Sequence, residues 1–274
     1  MKLGLHVSIS GTLTKAFEEG KKSSSEALQI FSSSPRTWRT SRITEEAAQE
    51  FRSSRGDFAP LVVHASYLIN LGSKNEEVRE KSIKALQSEV ERAETLGADY
   101  LVLHPGGGDE NAVTYIGEGL SKVLDSAKSV KILLENVAGE GQKLGKDFAE
   151  LLSIIKVTEN GKKLGVCFDT CHAFGAGYDL RQKEVWEKIH DEINDTVGFE
   201  AVKLLHLNDT RGELGSNLDR HSNWGEGKLG VETLRIIAKD SFFNTLPGIL
   251  ETPGDLEKRT EDLKLCRELF NLER

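Results

Sequence analysis

Short apolar runs alternate with longer amphipathic stretches along the whole chain. The runs read as strands over Leu3–Val7, Ala27–Phe31, Leu61–His64, Tyr100–His104, Ile132–Glu135, Gly165–Asp169, Lys203–Leu207 and Gly248–Glu251. The stretches between them read as helices near Leu13–Ser24, Glu45–Arg55, Glu76–Leu96, Tyr115–Ala127, Lys146–Val157, Lys183–Asp195 and Val231–Lys239, and an eighth runs from Leu256 to Leu269. Helix ends carry their own marks. Thr44 before Glu45-Glu46 and Asn75 before Glu76-Glu77 are placed to accept the first free backbone N–H groups. Gly97 after Leu96 supplies a left-handed stop before the next strand.

Eight strand–helix pairs without a Pro/Gly-rich linker predict one (β/α)₈ barrel over residues 1–274, an α/β fold. An open doubly wound sheet is the second choice, and the count of eight favours the barrel. The length of 274 residues suits that fold, which typically takes about 250. With 38% hydrophobic and 29% charged residues the chain is a soluble globular protein. No segment approaches the ~18 unbroken apolar residues of a membrane span. The N-terminus turns polar within a few residues, unlike a signal peptide. Three cysteines, Cys167, Cys171 and Cys266, are too few and odd in number for a disulfide framework, so a reducing, cytoplasmic setting is expected. The net charge of −8 argues against nonspecific nucleic-acid binding unless bound metal changes the sum.

Barrel sites lie at the C-terminal ends of the strands. Six successive strands here end in His64, His104, Glu135, Asp169, His206 and Glu251. Any one of them reads equally well as a solvated strand end; six together do not. Side chains alternate along a strand, so Val62, Val102, Leu133, Cys167, Leu204 and Ile249 should point inward beneath them. The expectation is an apolar plug under a polar mouth. His172 follows Asp169 in the turn Asp169-Thr170-Cys171-His172, and Asp219 and His221 share one side of an extended loop. His190 falls in a helix and reads as surface. Imidazoles with carboxylates are the donors that Zn²⁺ or Mn²⁺ take. Five histidines and four carboxylates exceed one tetrahedral site; with one bridging, they would serve two or three metals, the equipment for phosphoester displacement.

Other features read differently. Cys167 fits as barrel filling and Cys171 as a small buried residue behind the site, rather than as thiolate ligands or a redox pair. Pro105-Gly106-Gly107-Gly108 lacks the spacing of a phosphate-binding loop and reads as a flexible turn that gives backbone clearance near the mouth. From Ser32 to Thr44 the chain carries Arg36, Arg39, Arg42 and Trp38 and no acid. That loop reads as a backbone clamp and wedge for nucleic acid, with a solvated loop as the plain alternative. Tyr67-Leu68-Ile69 follows His64 as an exposed-looking aromatic and apolar triplet on the same face, with packing under the next helix as the plain alternative.

Gly165-Val166-Cys167-Phe168-Asp169-Thr170-Cys171-His172, His206-Leu207-Asn208-Asp209, Gly215 to His221 and Leu250-Glu251-Thr252-Pro253 together resemble the endonuclease IV family of abasic-site endonucleases. Gly4-Leu5-His6-Val7-Ser8 and His64 to Leu71 resemble it too, so the likeness spans the chain. The resemblance implies a TIM barrel with three Zn²⁺, Mn²⁺ being an alternative at some positions. His64 and His104 would share one metal with a bridging Glu135. Asp169, His206, Glu251 and the same Glu135 would hold a second, and His172, Asp219 and His221 the third. Three such ions would raise the net charge from −8 to −2. The implied substrate is duplex DNA with an abasic site, cut 5′ to the lesion by a monomer, with cleaning of blocked 3′ ends as a second activity. Glu251 and Glu135 would be the catalytic carboxylates. Arg36, Tyr67 and Leu68 match positions that enter the DNA stack. Ala65 departs from the Asp of many members, and Asp209-Thr210-Arg211 from the more usual Asp-Ser-Lys.

Two other readings share the scaffold. A two-metal sugar isomerase or epimerase would need neither the arginine loop nor Asp219 and His221. A noncatalytic binder of damaged DNA would not need the complete donor set.

Overall fold

A computed structural model describes residues 1–38 and 42–272. Eight parallel strands close into a barrel: β1 (Leu3–His6), β2 (Ala27–Phe31), β3 (Leu61–His64), β4 (Tyr100–Leu103), β5 (Lys131–Glu135), β6 (Gly165–Asp169), β7 (Val202–His206) and, last in the chain, β10 (Gly248–Leu250). A two-residue hairpin of β8 (Asp209–Thr210) and β9 (His221–Ser222) lies between β7 and β10 in sequence. The outer helices are α1 (Lys15–Lys22), α2 (Glu45–Ser54), α3 (Glu76–Leu96), α4 (Ala112–Leu124), α5 (Phe148–Val157), α7 (Lys183–Asp195), α8 (Gly230–Lys239) and α9 (Leu256–Leu272). A short α6 (Thr170–Ala176) follows β6 directly.

The strand pattern of the sequence carries through to the observed strands within one or two residues. The caps do too. The Thr44 hydroxyl accepts the Ala47 N–H at 3.2 Å, and the Asn75 carbonyl oxygen accepts the Glu77 N–H at 2.9 Å. Gly97 ends α3 at φ 68°, a conformation that costs glycine nothing. Among the described residues no helix is long and apolar enough to cross a membrane. Cys167, Cys171 and Cys266 are free and buried.

Two apolar layers organise the molecule. Outward strand residues such as Leu5, Leu28, Val63, Leu103 and Phe168 pack against the helices. Inside the barrel, Ala27, Val62, Val102, Leu133, Cys167, Leu204 and Ile249 form a separate plug, with Tyr100 against it. Strand register explains why they meet: His64 pairs with Val102, Glu135 with Cys167 and Asp169 with His206, so each inward residue has inward neighbours at its own height. One step further along each strand the inward position becomes polar. The plug therefore closes the barrel floor and leaves a polar layer that opens only upward.

Packing at this density makes the plug sensitive to lost volume. Leu133→Ala removes buried methyl groups from its middle and should lower the unfolding free energy by about 2–5 kcal/mol in chemical denaturation. A change within experimental scatter would show that the layer is not close-packed.

Candidate metal centre

Glu135 stands in the middle of the polar layer and is fully buried. Its two oxygens face different partners. Oε2 lies 3.0 Å from His104 Nε2 and 3.3 Å from His64 Nε2. Oε1 lies 2.8 Å from His206 Nδ1. Glu251 Oε2 is 3.4 Å from the same His206 nitrogen, and Asp169 Oδ2 is 3.8 Å from it. On the far side Asp219 Oδ2 lies 3.2 Å from His172 Nε2, and Asp219 Oδ1 3.4 Å from His221 Nε2. All nine donors singled out in the sequence are thus brought together. They fall into overlapping groups: His64 with His104 and Glu135; Glu135 with Asp169, His206 and Glu251; Asp169 with His172 and His221; and Asp219 with His221, where Cys171 is also within reach, as Cys167 is of Glu135 and His206.

Each imidazole but that of His104 has one nitrogen occupied from behind. His64 Nδ1 faces the Ala65 carbonyl at 2.8 Å, His172 Nδ1 the Asn136 carbonyl at 2.9 Å and His221 Nδ1 the Glu251 carbonyl at 3.3 Å. His206 Nε2 faces the Gln29 side-chain oxygen at 2.8 Å. A ring N–H donated to such an acceptor fixes the tautomer and turns the other, lone-pair nitrogen to the centre. Two of those nitrogens, His172 Nε2 and His221 Nε2, are buried without a hydrogen-bond partner. Few other buried side-chain atoms lack a partner among the described residues (His190 Nε2, Ser216 Oγ and Thr252 Oγ1), and a cation between these two nitrogens and the Asp219 carboxylate would satisfy both. The donor chemistry and the orphaned nitrogens fit divalent metal.

The electrostatics point the same way. Burial opposes the charged form of Glu135, yet His206 and His104 hold its carboxyl well below the ordinary range. Burial likewise opposes charge on Glu251, which His206 and His6 hold well below that range. Burial works against protonating His172, but Asp169 and Asp219 raise its pKa well above the usual value. His221 is pushed up to about 10, against burial, by Cys171 and Asp169. Carboxylates this close demand positive charge among them, and protons on the rings or metal ions can supply it.

Local folding sets the donors. Asp169 is both the last residue of β6 and the N-cap of α6: its Oδ1 accepts the His172 N–H at 2.8 Å. The expected turn is therefore a helix start, which swings His172 over the barrel. Asp219 and His221 lie together as expected, with His221 in the small hairpin paired to Thr210. Asp209 holds that hairpin. Its buried carboxylate accepts the backbone N–H groups of Thr210, Gly225, Gly227, Leu229 and Gly230 at 2.8–3.2 Å.

Sequence patterning missed part of the layer. His6 and Gln29, from β1 and β2, sit beside the donors. Gln29 Nε2 donates to Glu251 Oε1 at 2.6 Å while its oxygen receives His206. Asn208 Nδ2 donates to Asp169 Oδ2 at 2.6 Å and to Glu251 Oε2 at 3.3 Å. A glutamine at an inward position of the apolar run Ala27–Phe31 was the available signal. Gly106, Gly107 and Gly108 give the backbone clearance expected of them. A Cβ there would collide with Asn70, Gln142 and Gly72 respectively, so glycine is required by close backbone approach. Two other expectations are corrected. Ile69 is buried in the core rather than exposed, because the chain turns inward after Leu68. His190 is half-buried against Phe199, Phe242 and Phe243, with Asp240 2.9 Å away.

Tyr67, 58% exposed, stands at the rim with its ring 5.5 Å from that of His64. Leu68 is half-buried beside it, and Arg36 and Trp38 are exposed on the loop after β2. Arg42 is exposed at the foot of α2. Arg39 lies outside the described residues.

The sequence model of the xylose isomerase-like TIM barrel family matches residues 17–269. A "Probable endonuclease 4" of Aquifex aeolicus is 40% identical, covering 97% of each chain. The chain belongs to the endonuclease IV family. A solved endonuclease IV from Thermus thermophilus superposes with a TM-score of 0.89 at 37% identity, over 99% of this chain and 100% of that one. A D-tagatose 3-epimerase-like structure, at TM-score 0.73 and 22% identity over 100% and 98% of the chains, shares the fold alone. Endonuclease IV membership fits the donor set found at the barrel mouth.

The Asp209 knot gives a direct test of how the hairpin is held. Asp209→Asn keeps the shape but turns an NH₂ toward N–H donors, and should cost about 2–4 kcal/mol of stability in denaturant titration. An unchanged midpoint would show that the hairpin stands without this carboxylate.

Proposed function

We propose that this chain is a metal-dependent abasic-site endonuclease of DNA repair, one barrel over residues 1–274 acting as a monomer. It hydrolyses the phosphodiester 5′ to an apurinic or apyrimidinic site in duplex DNA. The products are a 3′-hydroxyl and a 5′-deoxyribose phosphate. Clearing blocked 3′ ends is the same hydrolysis at a strand terminus. The observation that carries the reading is the convergence of nine donors at the mouth, two with orphaned nitrogens, beneath a rim bearing Arg36, Tyr67 and Leu68. Family membership supports it.

His64, His104 and Glu135 would hold one Zn²⁺; Glu135, Asp169, His206 and Glu251 a second; and His172, Asp219 and His221 a third, with Mn²⁺ as an alternative at some positions. When bound, such closely spaced ions activate water and neutralise charge on phosphodiester oxygens. The protein does the positioning. Glu251 orients the attacking water, and the Gln29 and Asn208 amides pin its two oxygens so that it cannot rotate. Glu135 ties the groups together, one oxygen on each side. Arg36 and Tyr67 fill the gap in the duplex, with Leu68 behind them. Opening the stack costs least where a base is already missing. A sugar isomerase has no use for Asp219 and His221, which complete the third group.

Elemental analysis of loaded protein should give three metals per chain. Two or fewer in fully active protein would overturn the trinuclear reading. Lowering the pH to about 5 should release them, because protons compete for the same imidazole nitrogens. Glu251→Gln keeps the shape and loses the charge. Turnover on abasic duplex should fall at least ~10²-fold while the duplex is still bound. Wild-type turnover would assign the water to another carboxylate.

A further inference from the structure

Arg36 and Tyr67 come from different strands, yet a wedge must act as one body. The loop after β2 and the loop after β3 meet at a single side chain. The Ser66 hydroxyl donates to the Pro35 carbonyl at 2.8 Å and accepts the Leu68 N–H at 3.3 Å. Pro35 precedes Arg36, and Ser66 precedes Tyr67. One half-hidden hydroxyl, 9% exposed, thus spans the backbones that carry both residues.

The root of the Arg36 loop is held just as firmly. Ser32 Oγ donates to Glu89 Oε2, and Arg92 donates from Nε to Ser32 Oγ at 3.0 Å and from Nη2 to the Ser32 carbonyl. Glu89 is 3% exposed and takes no part in the metal centre. Glu89 and Arg92 both belong to α3, the helix that the Tyr67 loop leads into. Phe31, at the end of β2, also touches the Tyr67 ring edge-on at a centroid distance of 5.3 Å. Both loops are therefore referred to one helix and joined to each other at their working ends.

We propose that Ser66 is a positioning residue that locks the Arg36 and Tyr67 loops into one lesion-reading unit, with Glu89 and Arg92 anchoring its root. The inference rests on reading Arg36 and Tyr67 as the residues that enter the abasic gap. A preorganised wedge loses less conformational freedom on binding, so its locking is felt in the affinity for abasic DNA rather than in turnover once bound.

Ser66→Ala removes both bonds without touching a metal donor. Binding to abasic duplex should weaken about 5–30-fold, as expected for two net hydrogen bonds, and binding to intact duplex by no more than about 2-fold. KM should rise while kcat at saturating DNA and metal content stay near wild type. Ser66→Thr keeps the hydroxyl and should recover most of the loss. In an Arg36→Ala, Tyr67→Ala background, Ser66→Ala should add almost nothing, because both side chains it positions are gone. The same penalty in both backgrounds, or equal weakening on both duplexes, would overturn the proposal. A second arm needs no DNA: hydrogen exchange of the amides of residues 33–38 should speed up in Ser66→Ala and in Glu89→Gln. Unchanged exchange would overturn the lock. If wild-type protein shows no preference for abasic duplex, the functional reading falls, and the exchange arm alone decides whether the two loops are coupled.

Discussion

A carboxylate buried at the centre of a barrel has to be compensated. Glu135 has no exposed surface, and the residue beneath it on the same face of β5 is Leu133, which offers nothing polar. An isolated buried carboxylate would cost several kcal/mol and would give up its charge. Compensation comes from other strands whose ends reach the same mouth, the adjacent β4 and, one strand further on either side, β3 and β7. That requirement places His64 and His104 on one side and His206 on the other. It also places Asn208 and Gln29 behind the second carboxylate, Glu251, which would otherwise repel the first. The polar layer above the plug is arranged so that this one charge is compensated inside the barrel.

Most of this was legible in the sequence because a strand writes its two faces alternately. His64, His104, Glu135, Asp169, His206 and Glu251 each stand two residues beyond an inward apolar residue, and the structure brings all six together with His172, Asp219 and His221. What escaped did so for physical reasons. Gln29 is neutral and sits in a run of apolar residues, so nothing in its chemistry announces a site; its role appears only when register puts it under Glu251 and His206. The helical start at Asp169 was hidden because Thr-Cys-His has weak helix propensity, and the cap supplied by Asp169 outweighs it. The three glycines after His104 look the same in sequence whether they serve motion or close approach. Only the backbones of Gly72 and Gln142 distinguish the two.

The acidity of the chain ceases to be an objection once the mouth is considered apart from the rest. Four carboxylates lie there among five imidazoles, and against burial the pKa of His172 is raised by Asp169 and Asp219 and that of His221 by Cys171 and Asp169. Positive charge is thus called into the mouth whatever its carrier. Divalent ions replacing protons on those nitrogens would leave the opening positive while the outer surface stays acidic. An anionic polymer would then be held at the rim and the mouth, not over the whole surface, which favours a bound register over nonspecific sliding.

Chemistry and recognition are built on different supports. On the proposed reading most metal donors stand on barrel strand ends and on a capped helix start, where the closed sheet fixes each to its neighbours, while Asp219 and His221 come from the hairpin that Asp209 holds. Arg36 and Tyr67 stand on loops, which tolerate sequence change and would by themselves move too freely to discriminate a gap from an intact stack. The structure resolves that conflict by returning both loops to α3. Ser32 is held by Glu89 and Arg92, and the two loops are joined through Ser66. The Tyr67 ring rests against His64, so if the rim is the wedge we propose, it is also referred to the donor cluster. Rim residues can in this way vary one by one while the distance from rim to donors stays set by the barrel.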